Sequence, residues 1–190
     1  CPNLVEITVG GQDLSEIYGL SGMSKLETFN LGNISDAGLD YLNLENCEKL
    51  EDLSLGYNSK ISRLNLSGCK QIEYLYLPTD LIDLNLQGLE YLETLDLREQ
   101  KKLEYLEISG CSSLIELFFP YNEHSLKSVS ALGCTSLNQV GISLSDSFID
   151  LSFLSECPNL KTLSLLGLDH FTDLSFLDPL TGLERLQLHG

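Results

Sequence analysis

The chain has 190 residues, 43% of them hydrophobic, and 11 Lys and Arg stand against 28 Asp and Glu for a net charge of −17. That length can bury a core, and that charge opposes nucleic acid and anionic membrane surfaces as partners. No apolar run approaches the roughly 18 residues that span a bilayer, so no membrane insertion is expected in this segment.

From the first residues onward the chain repeats itself. Cys1-Pro2-Asn3-Leu4 matches Cys157-Pro158-Asn159-Leu160, so the sequence begins inside a repeat. An aliphatic recurs at Leu4, Leu26, Leu50, Ile72, Leu92, Leu114, Leu137, Leu160 and Leu183, typically heading the pattern L-x-x-L-x-L. Three residues ahead of each stands a second series: Cys1, Met23, Cys47, Cys69, Leu89, Cys111, Cys134, Cys157 and Leu180. Successive members lie 20 to 24 residues apart, and a period that carries a rare residue type with it marks a solenoid. The two leucines of L-x-L share a face because strand side chains alternate, so each coil predicts one short strand of a parallel front sheet, nine in all.

Asp13-Leu14-Ser15-Glu16-Ile17 then reads as a capped helical turn, an acidic cap ahead of apolar residues at i, i+3 spacing. From residue 39 a second L-x-x-L-x-L series interleaves with the first, headed by Leu39, Ile61, Leu81, Leu103 and Leu126. The step there is about 11 residues, room for a strand and a turn but no full helix, which predicts a second sheet along the back. Outward Asn43, Asn65 and Asn85 fall at equivalent places on it, as an amide ladder would. Near the end, Asp150-Leu151-Ser152-Phe153-Leu154 and Asp173-Leu174-Ser175-Phe176-Leu177 again read as helical turns. The expected fold is a mainly-β solenoid, with a parallel sheet on the concave side and short strands or helical turns on the back. It forms one unit over 1–190 of about eight to nine coils. Neither end carries a polar capping repeat, which suggests a segment of a longer array.

Chemistry-bearing motifs are scarce. His124, His170 and His189 are scattered, no Cys and His stand at metal-ligand spacing, and no nucleophile-elbow or phosphate-loop pattern occurs. No catalytic site, metal site or cofactor is expected. The cysteines read as stacked turn residues, small apolar thiols whose parallel side chains suit burial better than disulfide bonding. Six buried, reduced thiols are predicted. Binding is instead expected on outward columns of the front sheet, where Tyr74, Tyr76 and Phe118 cluster with Asp96, Arg98 and Glu116, and Tyr121 follows. Exposed aromatics among charges have the composition of a protein-binding hot spot. The half-coil step also falters there: Ile72 to Leu81 is nine residues, with Pro78 in the turn.

These repeats resemble the leucine-rich repeat superfamily over essentially the whole chain. Asn33, Asn58 and Asn122 take the place of its turn asparagine, and Cys47, Cys69, Cys111 and Cys134 the equivalent place in the second series. The short coils look most like bacterial internalin-like surface proteins. That resemblance implies a non-enzymatic protein–protein interaction module of a secreted or cell-surface protein, with a protein ligand. A second expectation is an intracellular specificity module, of ubiquitin-ligase substrate-receptor or immune-sensor type, which cytoplasmic free thiols would suit. A third is a targeting segment of an enzyme whose catalytic domain lies elsewhere.

Overall fold

The computed structural model describes residues 1, 3–10, 14–32, 39–55, 60–120, 126–143, 150–167 and 174–189. Among them the chain forms thirteen short strands, all paired in parallel, which we number in chain order. Eight belong to the front: β1 (Glu6–Val9), β2 (Thr28–Leu31), β4 (Asp52–Ser54), β7 (Thr94–Asp96), β9 (Glu116–Phe118), β11 (Gln139–Ser143), β12 (Thr162–Leu166) and β13 (Arg185–His189). Five form the back: β3 (Tyr41–Asn43), β5 (Arg63–Asn65), β6 (Asp83–Asn85), β8 (Tyr105–Glu107) and β10 (Ser128–Ser130).

The 11-residue step of the sequence is thus a strand on one side and a strand on the other. The inward leucine of each back strand sits directly beside the next, Leu42 against Leu64 and Leu64 against Leu84. With Phe29, Leu95, Leu117, Val140 and Leu163 of the front, they make a continuous buried column. Each such side chain withdrawn from water contributes on the order of 2 kcal/mol, so the stack is held mainly by this column. The molecule is a mainly-β solenoid.

In six successive coils one tight turn closes through a column the sequence reading did not single out. Gly22, Asn46, Gly68, Gly88, Gly110 and Gly133 all have positive φ, between 59° and 84°, and each immediately precedes Met23 or a ladder Cys or Leu. The N–H groups of the first five reach across to the following coil, as in Gly88 N–H to the Ser109 carbonyl at 2.8 Å and Gly110 N–H to Leu132 at 2.8 Å. Glycine suits the backbone angle: a Cβ on Gly110 would meet the Gly88 Cα at an ordinary contact of 3.5 Å, so it is the positive φ that favours glycine there.

Cys47, Cys69, Cys111, Cys134 and Cys157 are buried and free, with Leu89 beside them at 0% exposure. Each thiol donates to a carbonyl. Cys69, Cys111 and Cys134 do so across coils, to Leu44 at 3.1 Å, Leu86 at 3.2 Å and Ile108 at 3.1 Å. Those same carbonyls accept the N–H of the ladder residue in their own coil. One cysteine departs from the prediction of six buried thiols: Cys1 is exposed. Met23, in the same series, is partly buried.

Two further expectations are corrected. Residues 14–17 form no helical turn, whereas Leu151–Glu156 is a 3₁₀ turn capped by Asp150, whose Oδ1 accepts the Ser152 N–H at 2.9 Å. Leu151, Phe153 and Leu154 are buried and hold that turn in place, while Leu14 and Ile17 are only half-buried, and so short a helix needs packing to persist. Ser175–Leu177 forms a second, shorter turn; Asp13 and Asp173 lie outside the described residues. Asn43, Asn65 and Asn85 do stack in register, but their oxygens do not bond amide to amide. Each accepts the N–H two residues onward, from Glu45, Ser67 and Gln87, all at 3.0 Å. The local Asx turn wins because its donor is fixed by the asparagine's own backbone.

Candidate binding face at the fourth coil

The front sheet is predicted to hold nine strands, and the fourth is missing. β1, β2 and β4 form one sheet, β7, β9, β11, β12 and β13 another, and residues 73–77 between them pair with neither. In a regular coil a carbonyl just before the strand takes two N–H groups from the next coil. Glu27 accepts from Glu51 and Asp52, and Glu93 accepts from Ile115 and Glu116. The Glu51 carbonyl, which would take Glu73 and Tyr74, has no such partner among the described residues.

The cause lies in chain length. Leu50 to Ile61 and Leu92 to Leu103 are eleven residues, but Ile72 to Leu81 is nine, and Pro78 within it has no N–H to give. The back strands β5 and β6 on either side pair normally, Arg63 beside Asp83 and Asn65 beside Asn85, so the short connection draws the front segment out of register. A groove opens between β4 and residues 73–77. One part of about 610 Å³ is lined by Leu31, Leu53, Leu55, Tyr76, Leu77 and Pro78 among others. A second, of about 510 Å³, is lined by Glu51, Asp52, Glu73, Tyr74 and Tyr76 with Leu53 and Gln71. Leu53, Leu75 and Leu77 are only partly buried, whereas the corresponding Leu95 and Leu97 are at 1% and 0%.

The structure separates the residues that the sequence grouped. Tyr74 and Tyr76 stand on the unpaired segment at 79% and 87% exposure. Two residues of the next coil and one of the coil after it engage one another instead. The Arg98 Nε donates to Asp96 Oδ1 at 2.8 Å, a second guanidinium nitrogen bonds Oδ2, and the guanidinium carbon lies 5.6 Å from the centre of the Phe118 ring. Hydrogen bonding from Arg98 holds the Asp96 carboxyl below the ordinary carboxylate range. On its other side the Phe118 ring covers Gly141, where an added Cβ would meet it at 3.3 Å. Phe118 is therefore half-buried packing, capped by a neutralised cation. Glu116 lies on the same strand, β9, with no ion pair among the described residues, and Tyr121 lies outside them.

One feature went unread in the sequence. Glu27, Glu51, Glu73 and Glu93 occupy equivalent positions on four successive coils, at the start of the front strands, and all are exposed. No cation pairs with them among the described residues. Several basic side chains of these coils pair elsewhere, Lys25 with Asn3 at 2.8 Å, Arg63 with Asp40 at 2.7 Å, Lys70 with Glu90 at 3.5 Å and Lys102 with Asp80 at 2.5 Å, and Lys49, two positions before Glu51, makes no ion pair with it among the described residues. The register that exposed the cysteine series contained this column too, one position after Leu26, Leu50, Ile72 and Leu92.

Stacked parallel strands at a 20–24-residue period, inward leucines and positive-φ turns of Gly or Asn ahead of a buried ladder residue define a leucine-rich-repeat-type fold. No protein-family model matches the chain, and no curated protein matches it. Among solved structures it is similar to a leucine-rich repeat protein from Bacteroides ovatus, at 16% sequence identity and a TM-score of 0.30. That similarity covers 88% of this chain and 62% of the other, so the chain spans less than two thirds of that protein.

Proposed function

We propose that the chain is a non-enzymatic protein-binding module that engages a protein ligand through the front of its third to sixth coils. The observation that carries this reading is the pair Tyr74 and Tyr76, almost fully exposed on a segment that leaves the sheet. Large aromatics held out in water beside an apolar groove lose that exposure on binding, which is the energetic signature of an interface anchor. Asp96, Arg98, Glu116 and Phe118 form the adjoining rim, and Tyr121 continues it in our proposal. The ladder of cysteines, with Met23, Leu89 and Leu180, serves the turns.

The setting we propose is a secreted or cell-surface bacterial protein of internalin-like type, on the strength of the short coils. One observation favours the second reading, an intracellular specificity module: five free buried thiols suit a reducing compartment. Fractionating the native host and probing for the chain separates the two. To test the binding face, the wild type and a Tyr74→Ala/Tyr76→Ala variant are immobilised and exposed to the same surface-protein pool. Loss of the captured ligand, at unchanged melting temperature, is the predicted result; equal capture would remove the tyrosines from the interface.

A further inference from the structure

The break in the front sheet leaves more than two exposed tyrosines. β4 is the last strand of its sheet, so one whole edge of its peptide groups faces the groove without a ladder partner. An open strand edge is a template for another extended chain. The groove beside it is chemically graded along the strand. Glu51, Asp52 and Glu73 line its start, and Leu55, Leu77 and Pro78 line its end.

Resting on the protein-binding reading above, we propose that this groove binds an extended basic peptide segment, added as a strand along β4. The argument for a cationic occupant is charge complementarity. The three carboxylates at the start of the groove lack counter-ions among the described residues, and Glu27 and Glu93 extend the same acidic column on either side. A second copy of this chain brings another −17 of charge and is repelled; nucleic acid is repelled for the same reason. The spacing sets the recognised pattern. From Glu51 to Leu55 is four residues, about 13 Å of extended chain, so an Arg or Lys at one end of the ligand stands four positions from a Leu, Ile or Phe at the other. Tyr76, which lines both parts of the groove, folds over the middle of the segment.

The test uses the peptide acetyl-Thr-Arg-Thr-Val-Thr-Leu-Thr-amide, followed by amide chemical shifts and hydrogen exchange of the whole chain. The expected result is saturable binding that protects the amides of Leu53 and Tyr74 to Leu77, weakening as salt rises. Replacing the peptide Arg by Glu, or N-methylating its backbone, lowers affinity by about tenfold or more, as does Glu51→Lys/Glu73→Lys in the protein. Equal affinity for the Glu peptide, the N-methylated peptide or the double-Lys variant would overturn the proposal, leaving only general attraction to an acidic chain. Protection of the same amides without peptide would also overturn it: if independent of protein concentration, residues 73–77 close the ladder themselves; if dependent on it, a second copy does. If partner capture needs Tyr74 and Tyr76 while no basic peptide binds, the binding face stands and the strand-addition groove falls.

Discussion

A cysteine in this fold is a turn residue with a hydrogen bond. Burial pushes the Cys69, Cys111 and Cys157 thiols up to about 12 and Cys134 to about 11 from an ordinary 9.0, with Cys47 raised as well. Because the folded value lies above the unfolded one, the thiols stabilise the fold fully below pH 9 and lose that contribution as pH rises from about 9 towards 12. Alkaline melts should fall steeply across that window, and a variant with these cysteines replaced by alanine should fall less. At pH 8 a thiol reagent should titrate Cys1 alone in the native protein and all six in denaturant; rapid reaction of Cys69 or Cys111 would contradict their placement. A serine at 111 finds the Leu86 carbonyl that the thiol already uses, so Cys111→Ser should cost about 1 kcal/mol, towards the low end of what an unpartnered buried hydroxyl would cost. Gly110→Ala should be worse than its size suggests. It forces a positive φ on a residue with a Cβ, at a cost of about 1 kcal/mol, checked by chemical denaturation.

The coil is the element at which sequence and structure diverge. The 11-residue step found all five back strands within the segments headed by Leu39, Ile61, Leu81, Leu103 and Leu126, because an inward aliphatic recurs at every second position there against mostly polar outward residues. It also assigned a ninth front strand to Ile72-x-x-Leu75-x-Leu77, whose pattern is as regular as any. What removes that strand is the length of the connection after it, which a pattern of apolar residues does not register. The nine-residue step and Pro78 were visible, but their effect depends on the back strands β5 and β6 being locked together, a tertiary fact. The binding residues divide the same way. Exposure of Tyr74 and Tyr76 was legible from alternation; the mutual engagement of Asp96, Arg98 and Phe118 was not, since it turns on side-chain direction across coils. Inserting two residues between Pro78 and Leu81 should restore the eleven-residue step, close the front ladder and raise the melting temperature. No gain in amide protection at 73–77 would show that length is not the cause.

Across the whole molecule, the back sheet is an unbroken five-stranded run that bridges a front divided into three strands and five. Each strand is only three to five residues long, so stability comes from stacking. Acidic side chains recur at equal heights along the stack, and −17 charges repel within it. Raising salt from about 10 to 150 mM shortens the Debye length from about 30 Å to 8 Å and should raise the melting temperature; a fall would mean that the inter-coil ion pairs of Arg63, Lys102 and Lys127 outweigh the repulsion. The central claim is that the fourth coil is zipped at the back and open at the front. Native-state hydrogen exchange tests it within a few residues of chain: the amides of Glu73 to Leu77 should exchange rapidly while those of Asp83 to Asn85, in the strand that follows, stay protected. Equal protection of the two segments would mean that the front ladder is continuous, and would contradict the account.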